Sequence, residues 1–92
     1  AVGETSRRVE IVNKRGLHAR ASARFVGAVA AMADCQVTVR KDGHSANGNS
    51  ILGLMMLGAA KGDSVDVEVT GASAAERLDE LVAMIADGFG ED

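Results

Sequence analysis

His18 is preceded two residues earlier by Gly16 and followed two residues later by Arg20, within NKRGLHARASARFV at residues 13–26. The segment opens as a turn, with glycine in the conformationally permissive place, and continues with apolar residues at helical spacing. His18 therefore stands where a helix starts, a position that Ser, Thr, Asp or Asn would cap better. Arg20 falls in a first turn whose dipole disfavours a cation. A bound anion accounts for both residues. The first-turn N–H groups have no intrahelical partner and carry partial positive charge, and a guanidinium beside them can grip an anion bidentately. A phosphoryl group on a ring nitrogen of His18 is such an anion. Neutral imidazole is a competent nucleophile and protonated imidazole a good leaving group, so the group can be accepted and then passed on. The bland alternative from spacing alone is a tolerated histidine cap next to a solvated arginine.

The elements that position this pair follow from periodicity. RRVEIV, residues 7–12, alternates as a strand, with Val9 and Ile11 on one face, and residues 13–16 turn out of it. Ala21, Phe25, Ala28, Val29 and Met32 recur at helical spacing and predict a helix over 19–33, with Arg20 and Arg24 four apart on another face. Val37 and Val39 mark a second strand, and Asp42-Gly43 predicts a tight hairpin to a third. NSILGLMMLG, 49–58, reads as a short helix whose apolar side chains run almost all the way round. DSVDVEVTG, 63–71, alternates cleanly and makes a fourth strand. Ser73-Ala-Ala-Glu76 has capping-box spacing ahead of a helical stripe of Leu78, Leu81, Val82, Ile85 and Phe89, with a frayed acidic tail. The order βαββαβα predicts an α+β open-faced sandwich: a four-stranded, mainly antiparallel sheet with helices on one face.

Composition narrows the function classes. Ninety-two residues suit a single domain, 1–92, with a modest core. The longest apolar run, ILGLMMLGAA, is shorter than the roughly 18 residues of a bilayer span. AVGETSRRVE lacks the apolar stretch of a secretory signal, and a single Cys35 cannot form an internal disulfide, so a cytoplasmic location is expected. The net charge of −3 divides as +4 over residues 1–24, +1 over 25–62 and −8 over 63–92, so the basic end surrounds His18. Nucleic acid is not the expected partner, because two Phe and no Tyr or Trp offer no stacking platform. An RNA-binding reading of the element order needs exposed aromatics on the central strands, and both Phe residues fall in helical patterns. One cysteine and two separated histidines make no metal signature, and neither a metal nor a cofactor is expected.

GLHARASARFV strongly resembles the active-site segment of the HPr family, the histidine-containing phosphocarriers of the phosphoenolpyruvate-dependent phosphotransferase system. NSILGLMMLGAAKGD resembles that family's second signature, and the resemblance spans essentially the whole chain. It implies a phosphocarrier, not an enzyme, that accepts phosphate on His18 from enzyme I and gives it to an enzyme IIA domain. By the same resemblance Arg20 stabilises the phosphate, and Gly16 shapes the approach to the histidine. The backbone at Gly16, Ala19 and Ala21 would form the phosphate site. Ser50 matches a regulatory phosphorylation site, for a serine kinase or phosphorylase, and Arg24, Ile51, Leu52 and Met55 match partner-docking positions. A monomer without membrane insertion is expected. The runner-up is a mainly regulatory binding module of the same fold, acting through Ser50 and the 51–55 patch. One departure stands out: many members have proline where this chain has Ala21, and its HARAS form resembles the nitrogen-related branch.

Overall fold

Val65, Val67 and Val69 alternate with Asp66, Glu68 and Thr70, a period of two that gives a strand one apolar and one polar face. The structure, a computed structural model, describes residues 4–91 and keeps that period, with the three valines buried and the residues between them partly exposed. The elements run β1 (Glu4–Glu10), α1 (Ala19–Ala30), β2 (Cys35–Lys41), β3 (His44–Asn47), α2 (Ile51–Met56), β4 (Ser64–Gly71) and α3 (Ala74–Ala86), followed by a 3₁₀ turn, Gly88–Gly90. The strands lie in the order β1-β4-β2-β3, and every neighbouring pair is antiparallel. The expected βαββαβα open-faced sandwich is therefore the fold.

Asp42 and Gly43 both have positive φ, 51° and 84°, the requirement of a primed two-residue turn, and Lys41 pairs with His44 across it. The buried side of the sheet joins Phe25 of α1, Leu54 of α2 and Leu78, Leu81 and Ile85 of α3 in one core. The other side is solvated and laced with cross-strand ion pairs, Arg8 with Asp66 at 3.0 Å and Arg40 with Glu68 at 3.0 Å. Exposed pairs of this kind are individually weak, so the apolar core and not the charge lattice holds the sheet to its helices. Among the described residues no helix is long and apolar enough to cross a membrane.

The bounds of β1, α1 and α2, the cap of α3 and the place of Phe89 differ from the sequence expectation; α2 covers Ile51–Met56, within the expected 49–58. β1 covers Glu4–Glu10 and not 7–12. Ile11 leaves the strand to exchange backbone bonds with the Gly62–Asp63 turn at 2.8 Å each, and its side chain is buried. α1 stops at Ala30, because the Met32 N–H turns back to the Val29 C=O at 2.9 Å and carries the Met32 side chain into the core. The Ser73 capping box does not form. Ser73 sits in the left-handed region at φ 61°, outside the extended conformation that aims a cap side chain at its helix, and it makes no cap hydrogen bond. Phe89 is not in α3 either: the helix ends at Ala86, and Phe89 is buried from a turn at φ 59°.

Candidate functional site: a histidine at the start of α1

The turn that delivers His18 is built from Asn13 and Gly16. Asn13 is buried, and its Nδ2 donates to the Gly16 C=O at 2.9 Å while the Gly16 N–H returns to the Asn13 C=O at 3.2 Å. Gly16 has φ 64°, and a Cβ there would lie 2.2 Å from the Ala59 carbonyl oxygen and 2.8 Å from Ala60 Cα. Glycine is required on both counts. The Leu17 N–H donates to that same Ala59 C=O at 2.9 Å, and Ser22 Oγ donates to the Leu17 C=O at 3.2 Å. The turn is thereby fixed to the segment after α2 on one side and to α1 on the other.

His18 is the N-cap of α1, in extended conformation, and it caps with its ring. Nδ1 accepts the Arg20 N–H at 3.2 Å, and the His18 C=O accepts the Ser22 N–H at 2.9 Å. The imidazole thus replaces the Ser or Asp oxygen that the helix start lacks. The N–H groups of Ala19 and Ala21 precede or flank these first bonds, at the positive end of the helix. A ring nitrogen that accepts an N–H carries no proton, so Nδ1 presents a lone pair and Nε2 bears the hydrogen. Nε2 lies 2.7 Å from Glu91 Oε2. Asn13 Nδ2 donates to Glu91 Oε1 at 2.9 Å, and this bond, helped by His18 and Arg20 against the cost of desolvation, holds the Glu91 carboxyl below its usual range. The ionised carboxylate is then the acceptor for Nε2–H.

Lys14, Arg15, Arg20 and Arg24 line the cleft over His18, together with Gly90 and Glu91. Arg20 is exposed, and Arg24 Nη1 donates to the Phe89 C=O, which fastens the tail against α1. A nucleophilic ring nitrogen at a positive helix end, inside a cationic cleft, is suited to taking a dianionic phosphoryl group.

The structure brings Gly16, His18, Ala19, Arg20, Ala21 and Arg24 together, and sets the remaining candidates apart on α2. Ser50 caps that helix, its half-buried Oγ accepting the Gly53 N–H at 3.0 Å. Ile51, Leu52 and Met55 are exposed by 41%, 68% and 40%, while Leu54 is fully buried, so α2 cannot bury its whole apolar circumference. Met56, 77% exposed, extends the patch. α2 packs on α1, which joins the patch to the helix that carries His18. Two site residues escaped the sequence reading. Asn13 shows only a turn-like spacing to Gly16. Glu91 gave no local signal, since it meets His18 across 73 positions of chain.

A family model described as "PTS HPr component phosphorylation site" matches residues 5–87. The chain is 47% identical over 83 residues to a phosphocarrier protein HPr of Neisseria meningitidis, covering 90% of this chain and 92% of that one. It is 40% identical over 85 residues to the phosphocarrier protein NPr of Escherichia coli, covering 91% and 93%. The crystal structure of an HPr from Thermoanaerobacter tengcongensis superposes with a TM-score of 0.89 at 38% identity, covering 96% of this chain and 98% of that one. The Neisseria protein is the more similar of the two sequence relatives, so HARAS by itself does not assign this chain to the nitrogen-related branch.

Proposed function

Because this chain belongs to the HPr family of phosphocarriers of the phosphoenolpyruvate-dependent phosphotransferase system, we propose that His18 is its phosphoryl acceptor and Nδ1 the attacking atom. The protein is a phosphocarrier and not itself an enzyme, and its family implies enzyme I as donor and a IIA domain as acceptor. The observation that carries the assignment is the pair of ring contacts: Nδ1 accepts from the Arg20 N–H while Nε2 faces Glu91, so the lone pair points at the helix N-terminus. A phosphoryl group on Nδ1 would take the Arg20 N–H for one of its oxygens and lie within reach of the N–H groups of Ala19 and Ala21. Arg20 supplies the guanidinium, and Gly16 shapes the approach to the histidine by letting the turn lie against Ala59 and Ala60. Arg24, Ile51, Leu52 and Met55 form the docking surface in this reading, the last three as an exposed apolar patch and Arg24 as a neighbouring cation on α1. A patch of that kind can meet two partners in turn, and Met suits such a surface because its side chain adapts.

In the same reading Ser50 is a regulatory site for a serine kinase or phosphorylase, since it stands at the start of α2 next to Ile51 and Leu52. In this reading the carrier works as a monomer in the cytoplasm. The test is incubation with the cognate enzyme I and labelled phosphoenolpyruvate. One acid-labile, base-stable phosphoryl group is expected on wild type and none on His18→Ala. Undiminished labelling of that variant would remove His18 from the mechanism.

A further inference from the structure

Phe89 is buried from a left-handed turn, its carbonyl is held by Arg24, and the next two residues carry a carboxylate back onto His18. We propose that Glu91 is a positioning residue of the phosphoryl relay, which orients the His18 ring through its Nε2–H and then neutralises the cationic ring that phosphorylation creates. This rests on the reading of His18 as acceptor.

The carboxylate is held by both oxygens, Oε2 by His18 Nε2 at 2.7 Å and Oε1 by the buried Asn13 Nδ2 at 2.9 Å. Asn13 is itself oriented by the Gly16 C=O, so both hydrogens of its amide are used and the carboxylate cannot rotate away without losing a bond. The tail that carries it is shaped for the purpose. Gly88, Phe89 and Gly90 have φ 68°, 59° and 75°, and a Cβ on Gly90 would lie 2.9 Å from Arg24 Nη1. The charged groups that face the pair are Lys14 and Arg15 from the turn and Arg20 and Arg24 from α1, all cations. Among the described residues Glu91 is the carboxylate lining this cleft.

The chemistry gives that carboxylate a task. The Nδ1 lone pair forms the N–P bond while the donor's bond to phosphorus breaks, and its electron pair leaves with the donor. No proton departs from Nδ1, so the ring then holds phosphorus on Nδ1, hydrogen on Nε2 and a positive charge. Glu91 accepts the hydrogen bond from that imidazolium. In the onward step the N–P bond breaks toward the ring, which leaves as neutral imidazole with Nε2–H intact. Without the carboxylate, Nε2 loses its proton more readily, and the ring would have to leave as an anion, a poor leaving group.

The experiment compares wild type, Glu91→Gln and Glu91→Asp, phosphorylated by enzyme I and phosphoenolpyruvate and then mixed with the acceptor IIA domain across a pH series. In Glu91→Gln the alkaline fall-off of transfer should begin at lower pH. At about pH 8.5 transfer should be roughly three- to tenfold slower, the range of a part-exposed charge-assisted hydrogen bond. Ring ¹⁵N spectra of the phosphorylated proteins should show Nε2 losing its proton at lower pH in Glu91→Gln than in wild type, with Glu91→Asp recovering part of both effects. A Glu91→Gln protein with the wild-type pH profile of transfer and of Nε2 protonation overturns the proposal, even if it melts earlier, because that is the behaviour of a tail anchor. If wild type takes no label on His18, the carrier reading fails instead.

Discussion

His18 Nδ1 caps α1 and also carries the ring's lone pair, so one contact serves the resting fold and marks the atom proposed to accept the phosphoryl group. Phosphorylation at that atom would exchange this cap for a better one, since phosphate oxygens accept first-turn N–H groups more strongly than an imidazole nitrogen does. Arg20 is the residue whose presence the resting protein does not need. Arg20→Ala should therefore leave the melting midpoint within the effect of about 0.5 kcal/mol expected for an exposed side chain, yet slow phosphoryl transfer by about tenfold or more. Stopped transfer assays on folded variant would check it, and equal rates would make Arg20 incidental. Gly16, His18 and Arg20 were legible in the sequence because their meaning is local: a turn, a cap and a misplaced cation within five residues. Asn13 and Glu91 were not, because the bond between them spans 78 positions and depends on how the tail folds back.

The elements differ in how plainly the chain declares them. β4 and the β2–β3 hairpin were readable because alternation and an Asp-Gly turn each point to one structure. α3 was readable as a helix starting after Ser73, but neither the cap chemistry nor the C-terminal end was, because Ser73 and Phe89 both adopt left-handed backbone that no residue type advertises. α2 is short and apolar on every side, and its exposed flank is the surface proposed for docking. Replacing Met55 with Glu should weaken association with enzyme I and with the acceptor about tenfold or more, through a charge desolvated at an apolar contact, with little change in thermal midpoint. Ser50→Asp should weaken it less. The fold should survive, because a carboxylate can still accept the Gly53 N–H and suits a helix start. Titration calorimetry with circular dichroism as a fold check separates these outcomes. A large stability loss in Met55→Glu would put that side chain in the core, and unchanged binding of Ser50→Asp would deny that a negative charge at Ser50 hinders docking.

The whole molecule resolves the uneven charge seen along the chain. The basic N-terminal third supplies the cleft, and the acidic C-terminal third returns Glu91 to it and lends Asp66 to Arg8 across the sheet. Both carboxyls titrate below their ordinary values, Glu91 chiefly through Asn13 and Asp66 chiefly through Arg8. A carboxyl whose folded value lies below its unfolded one stabilises the fold fully above the unfolded value and loses that contribution as the pH falls through the folded one. The melting midpoint should accordingly be level near neutrality and decline below the ordinary values of 4.5 and 3.8, with a shallower decline in Glu91→Gln. An identical acid decline in the two proteins would deny Glu91 a part in it. The proposed relay as a whole turns on one nitrogen atom. It is tested by phosphorylating ¹⁵N-histidine-labelled protein with enzyme I and phosphoenolpyruvate and reading the one-bond ³¹P–¹⁵N coupling. The predicted result is a single coupling to Nδ1 of His18, abolished in His18→Ala; a coupling to Nε2, or phosphorus on His44, would contradict it.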